Sequence, residues 1–434
     1  MKRAFIAALI LAVAGVGLAG WYYRRETRTR NVEGSPTVEF IPKAEPAATR
    51  RPAVVVRTRP WPMYGLNAQR TRNATQFKVR PPFRQVWRFR ARGLLEFPPV
   101  VAYGHVFLEQ GRGHVYAIDA RTGRVSWHRS FRHCAAESPA VGRGVLYVAY
   151  AQPHPCSTGD RSQRGFIVAL RIRDGRVLWR FPAGAIESSP LLVKNVLYFG
   201  SWDHHLYALD VRTHRLRWRF LADDELNSSA AYAHGTVYIG SDGGHVYAVD
   251  ARTGKLRWRA SSFSRFGRRE YFYATPAVAY GRVFIGNTDG TVYAFGASTG
   301  HLLWARRAGT YVYTAAAVWR RTVYVGSYDG NVYALNAATG DVRWTYQSGG
   351  SIHGAPSIVD GLVYFAECGT CGRHGTRPAK LGLRRGTFAL NARTGKLVWR
   401  FHDGKYSPVV ADSERLYVAG YMRLYALKPL HSRP

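Results

Sequence analysis

From about residue 87 onward, short apolar runs of four or five residues alternate with brief polar turns, and the whole pattern repeats. The unit is read clearly in Gly244 to Trp258, GHVYAVDARTGKLRW. It recurs with its tryptophan at Trp127, Trp218, Trp304, Trp344 and Trp399, and in a weaker copy, GFIVALRIRDGRVLW, at Trp179. Each copy is preceded by another pair of apolar runs, as in TPAVAYGRVFIGN from Thr275 to Asn287. The unit ending at Trp304 therefore holds PAVAY, RVFIG, TVYAF and LLWA, separated by YG, NTDG and ASTG. Those separators are turn sequences in which glycine supplies positive φ. Runs this short, rich in aromatic and β-branched residues, are strands rather than helices. From Trp127 to Trp399 is 272 residues in six steps, about 45 each. Four antiparallel strands in roughly that length is the period of a propeller blade. Runs such as VYALD are apolar on both faces, as expected of sheets covered by neighbours on either side.

The ends complete the count. Trp87, in FRQVWRFR, stands before the first full repeat like an isolated fourth strand. The segments SPVV, ERLYVAG and RLYALKP, from Ser407 to Pro429, supply three strands and no fourth. Joined, they make an eighth blade and leave no free sheet edge. The predicted fold is all-β: an eight-bladed β-propeller over residues 61–434, closed by N- and C-terminal strands and preceded by one transmembrane helix.

That helix is read from residues 1–23. Lys2 and Arg3 precede an uncharged run from Ala4 to Gly20, followed by Trp21, Tyr22, Tyr23, Arg24 and Arg25. The run with its aromatic end is about long enough to span a bilayer, and the aromatics suit the interface. A cleaved signal peptide is the rival, because Gly17-Leu18-Ala19 offers small residues for cleavage. Basic residues on both flanks leave the orientation open. Residues 24–60, with Pro36, Pro42, Pro46, Pro52 and Pro60 and few large apolar residues, read as a disordered linker.

Composition adds one fact. The 434-residue chain carries a net charge of +35, supplied mostly by arginine. The excess is either compositional or directed at an anionic partner such as lipid head groups or an envelope polymer. The arginines are spread over every repeat and accompany no nucleic-acid-binding motif, which argues against nucleic acid.

The repeat resembles the pyrroloquinoline-quinone (PQQ) repeat superfamily, whose members include quinoprotein alcohol dehydrogenases and outer-membrane assembly factors of BamB type. The resemblance covers Trp61 to about Lys428, and Trp61-Pro62-Met63-Tyr64 is similar to the start of many such propellers. It implies a blade-docking role for Trp87, Trp127, Trp179, Trp218, Trp258, Trp304, Trp344 and Trp399. It also implies, with the cysteine usage, a propeller outside the cytoplasm on a single-pass cell-membrane anchor. The fold does not itself reveal an activity.

The connections from fourth to next first strand and from second to third strand share one face. The longest insertions lie there, at residues 151–164, 261–273 and 367–385. So do all four cysteines: Cys134 and Cys156 in the second blade, Cys368 and Cys371 in the seventh. Local pairs in an exported protein read as the disulfides Cys134–Cys156 and Cys368–Cys371. The rival is metal binding with His133, His154 and His374.

A quinoprotein would hold PQQ with Ca²⁺ beside a Glu-Asn-Asp set and a vicinal cysteine pair. The sequence has no adjacent cysteines. Glu96, Glu137, Glu187, Glu225 and Asn227, each just before a first strand, are the candidates for such a site, against a reading as hydrogen-bonding strand ends. Asp203, Asp242, Asp289 and Asp329 read as turn residues. No P-loop and no H-E-x-x-H appears. The expected function is a monomeric, non-catalytic, cofactor-free binding scaffold of the envelope. Its loop face would meet a protein, a peptide or an anionic polymer. The alternatives are a quinoprotein-like oxidoreductase with a divergent site and a sensor ectodomain.

Overall fold

The computed structural model describes residues 2–41, 58–154, 156, 164–368 and 386–430, with side chains from residue 12. Its described residues form seven four-stranded sheets, one five-stranded sheet in which Asn73–Ala74 adds a short parallel strand to the four strands of blade 7, and one two-stranded hairpin, Ser264–Arg265 with Arg268–Arg269. Blade 1 runs from Val100–Ala102 through His105–Gln110 and His114–Asp119 to Val125–Ser130, and the next six follow in chain order. Blade 8 takes Val410–Ala411, Leu416–Ala419 and Arg423–Pro429 from the C-terminus and Phe83–Arg90 from the N-terminus. Trp87 lies opposite Ala426 in that closing pair. The ring closes as the repeat count requires.

Six tryptophans dock each blade on its successor in one way. The indole Nε1–H of Trp87, Trp127, Trp218, Trp258, Trp304 and Trp344 donates to a backbone carbonyl beside the next blade's last turn, at Ala120, Ile172, Ala251, Ala297, Ala337 and Ala392. The ring lies over the turn glycine: a Cβ on Gly340 would stand 2.8 Å from Trp304. The two exceptions have local causes. Trp179 meets His214 where the other copies have glycine, and the rings lie 5.0 Å apart. Trp399 faces blade 8, whose third and fourth strands come from opposite chain ends and have no turn between them; it packs edge-on against Phe83 at 5.2 Å.

Each blade leaves the outer edge of its first strand facing the axis, where its N–H groups need acceptors. Residues 61–74 supply them. The carbonyls of Trp61, Pro62, Ala68, Gln69, Thr71 and Arg72 accept from Val101, Val141, Tyr232, Val278, Val318 and Ile358, in blades 1, 2, 4, 5, 6 and 7. This plug buries Arg70 and Arg72 completely. The Arg70 guanidinium donates to the carbonyls of Ala230 (2.8 Å), Ser189 (3.1 Å) and Tyr64. Arg72 lies 4.0 Å over the Tyr64 ring.

The N-terminal helix α1 spans Lys2–Thr27. Among the described residues, no helix is long and apolar enough to cross a membrane. Its described part carries Gly15, Gly17 and Gly20 and ends in Arg24, Arg25 and Glu26, which lowers its apolarity. The segment read as linker begins inside this helix. Beyond it, Val32 bridges Ala305, and the buried Arg282 guanidinium donates to the carbonyls of Ser35 and Val38. Residues 30–41 therefore lie along blades 5 and 6 instead of hanging free. Residues 42–57 of the expected linker fall outside the described residues.

Candidate functional site

On the loop face, the connections into the first strands converge at the mouth of the axis. Glu187 of blade 3 accepts from the Tyr273 hydroxyl of blade 5 at 3.3 Å. Tyr273 stacks on Tyr313 of blade 6 at 4.5 Å, and Tyr313 on His353 of blade 7 at 4.8 Å. His353 Nε2 lies 3.3 Å from Glu96 of blade 1, and its Nδ1 lies 2.8 Å from the Tyr328 hydroxyl. Asn227 of blade 4 donates to Asp242 at 2.8 Å and accepts from the Trp202 indole at 2.5 Å. The result is a vestibule with a tyrosine–histidine wall and acidic groups around it.

The electrostatics confirm the convergence. Burial pushes the Glu187 carboxyl up to about 7; the Tyr273 hydrogen bond opposes this, and the charges of Glu96, Asp242 and Glu225 add to it. Charges that lie far apart in sequence thus act on one carboxyl. Tyr273 and Tyr313 are held far above the ordinary phenol range, chiefly by burial.

Four of the five residues singled out from the sequence, Glu96, Glu187, Glu225 and Asn227, belong to this vestibule. Glu137 does not. It is buried between blades 1 and 2 against Glu109, and it accepts from the backbone N–H of Ala149 at 3.1 Å. Burial raises both carboxyls, Glu137 to about 7 and Glu109 well above the ordinary range. Burial and their mutual repulsion disfavour ionising both carboxyls together. The wall residues Tyr273, Tyr311, Tyr313, Tyr328 and His353 were missed. Their signal was present: YFY and YVY, at residues 271–273 and 311–313, put alternating tyrosines into two equivalent connections.

Cys134 and Cys156 form a disulfide, with Cα atoms 5.6 Å apart. Together with His154 they place ligand atoms within 4.8 Å of one another, but the two sulfurs are joined to each other in this state. Cys368 is disulfide-bonded. Its expected partner Cys371 and the metal candidate His374 lie outside the described residues. Gly296-Ala297-Ser298-Thr299-Gly300 has the G-x-S-x-G spacing of a nucleophile elbow. It forms a strand-to-strand turn beneath Trp258 with Ser298 exposed, not the strand-to-helix turn that such a nucleophile needs.

Fold and repeat together define a PQQ-repeat β-propeller whose axial mouth is lined by acidic and aromatic groups. The family model described as Outer membrane protein assembly factor BamB matches residues 83–201, 133–312, 202–366 and 288–430, and the chain belongs to that family. It is 26% identical over 132 residues to the outer membrane protein assembly factor BamB of Legionella pneumophila (strain Paris), covering 28% of this chain and 31% of that one. It is 29% identical over 129 residues to the same factor of Marinobacter adhaerens (strain DSM 23420 / HP15), covering 29% and 30%. The chain thus spans about three tenths of the length of these relatives. Among solved structures, BamB from Moraxella catarrhalis superposes with a TM-score of 0.61 at 16% identity, covering 82% of this chain and 100% of that one. Quinohemoprotein alcohol dehydrogenase from Comamonas testosteroni superposes with a TM-score of 0.67 at 12% identity, covering 91% and 84%. At these identities the superpositions establish the fold alone.

Proposed function

We propose that the protein is a non-catalytic binding scaffold of the cell envelope, tethered through its N-terminal helix, whose axial vestibule takes a cationic group of a protein partner. The observation that carries this reading is the vestibule. Carboxyls from blades 1, 3 and 4 act on one another in a chain whose net charge is +35, beside a stacked tyrosine–histidine wall. An acidic mouth with aromatic faces suits a lysine or arginine side chain through charge and cation–π attraction. The family and its envelope-associated relatives support a scaffold role.

We further propose that neither PQQ nor Ca²⁺ is held. The residues fit poorly: the Cys134–Cys156 link joins residues 22 apart, beside blades 1 and 2 rather than at the wall. The wall is already stacked upon itself, and Asn227 is engaged by Trp202 and Asp242. The quinoprotein superpositions favour the oxidoreductase alternative only at the level of fold.

The test is a photo-cross-linker at the exposed Tyr271 on the vestibule side, with one at the exposed Leu397 as control, in intact cells. A discrete adduct is expected from position 271 alone, and it should disappear in Glu187→Gln/Glu225→Gln. Equal labelling from both positions, or an adduct indifferent to the double substitution, overturns the reading. Desalting after incubation with PQQ and Ca²⁺ is expected to leave no quinone absorbance.

A further inference from the structure

A second concavity opens on the same face, between blades 1 and 2. Its volume is about 840 Å³, and its lining includes Arg92, Arg112, Arg132, His114, His128 and His154. These come from four places in the chain. Arg92 follows the closing strand of blade 8, and Arg112 sits in the turn between Gln110 and His114. Arg132 follows the fourth strand of blade 1, and His154 follows the second strand of blade 2. His114 Nδ1 and His128 Nε2 lie 3.0 Å apart, and Tyr116 stacks on His128 at 4.6 Å. The Cys134–Cys156 disulfide pins the segment that carries His154. No carboxylate is among the described lining residues.

We propose that this pocket binds a small polyanion bearing phosphate groups. Three guanidinium forks present only donors, and the imidazoles add further N–H donors, one ring nitrogen of the His114–His128 pair accepting from the other. A phosphate presents three acceptor oxygens to such a set, where a carboxylate presents two. The volume exceeds that of one phosphate and lies within the range of small-molecule sites. Pinning by the disulfide reduces the ordering cost on binding. The reading is independent of the vestibule, which has the opposite charge and lies on the axis.

The pocket should respond to pH. Burial lowers the His114 pKa, with His128, Arg92, His154 and Arg112 adding to the effect; burial also lowers that of His128, with Arg92 and Arg129 adding. A bound polyanion offsets that repulsion, so binding takes up protons and tightens as pH falls.

The experiment is isothermal titration of the full chain with tripolyphosphate at pH 6 and pH 8, and with citrate as the carboxylate counterpart. Arg92→Ala/Arg112→Ala is expected to weaken tripolyphosphate at least tenfold. Arg343→Ala/Arg393→Ala, removing the same charge beside blades 6 and 7, should change it less than twofold. His128→Gln should flatten the pH dependence. Equal losses in the two double variants would show only the diffuse field of a basic protein and overturn the site. Citrate binding as tightly as tripolyphosphate would overturn the phosphate assignment.

Discussion

Gly340→Ala tests whether the tryptophan seats hold the ring together. Gly340 has φ +80°, and an added Cβ would stand 2.8 Å from two indole carbons of Trp304. Trp304 is fully buried and hydrogen-bonded to Ala337, so neither partner can yield freely. Gly144 is the matched control: its φ is +77°, and an added Cβ meets nothing within 4 Å. Both substitutions incur the left-handed backbone cost, about 1–2 kcal/mol. Only Gly340→Ala adds overpacking, typically about 1–3 kcal/mol. Gly340→Ala should therefore lose roughly 1–3 kcal/mol more than Gly144→Ala. The assay is urea unfolding followed by tryptophan fluorescence, comparing midpoints at fixed slope. Equal losses would mean that the indole–glycine contact is incidental and that blade packing rests elsewhere.

Other consequences are measurable on the same footing. Glu109→Gln should stabilise the protein at pH 8 and change little at pH 4. The wild-type carboxyls bind more protons folded than unfolded, so native stability falls as pH rises from about 4.5 towards the value of about 7 to which Glu137 is raised, by up to about 1.4 kcal/mol per pH unit for each group; thermal melts that show no growth of the difference with pH would refute the raised carboxyls. Arg70→Met leaves the carbonyls of Ala230, Ser189 and Tyr64 without their buried donor and should cost at least about 3 kcal/mol in urea unfolding; a loss below about 1 kcal/mol would show that water replaces the guanidinium. Truncation after Ala411 strips Phe83–Arg90 of its partner strand and should abolish cooperative unfolding, as read by circular dichroism. Partner cross-linking at Tyr271 should strengthen from pH 6 to pH 8 as Glu187 ionises; the opposite trend would refute a cationic occupant.

What the sequence revealed and concealed follows from the range of the interactions. The ring was legible because every blade carries the same local signals, and Trp87 stood out as a fourth strand lacking three predecessors. The different contacts of Trp179 and Trp399 with the next blade were also written locally, as His214 in place of glycine and as a missing turn. The plug was not legible. Its carbonyls meet strands as far away as Ile358, and nothing local marks Arg70 and Arg72 for burial, since arginine is seldom fully buried. Glu137 and Glu187 shared one sequence context, E-S before a first strand. Glu109, brought across from the neighbouring blade, makes Glu137 one of a buried carboxyl pair, whereas Glu187 stands at the axial mouth.

The arginine excess and the acidic vestibule are compatible because the propeller sorts charge by radius. Fourth strands form the outer edge of each blade, and arginines occupy their exposed positions: Arg215, Arg217 and Arg219 in blade 3, Arg257 and Arg259 in blade 4. First strands line the axis, and the connections entering them bring Glu96, Glu187 and Glu225 inward. At physiological ionic strength, fields between exposed charges fade over about 8 Å. The rim therefore draws anions without cancelling a cluster at the centre. A cationic group from a partner is repelled at long range and held only once it enters the mouth, which selects for shape as well as charge. A small polyanion meets the opposite sequence: it is attracted from a distance and held at the concavity where Arg92, Arg112 and Arg132 converge.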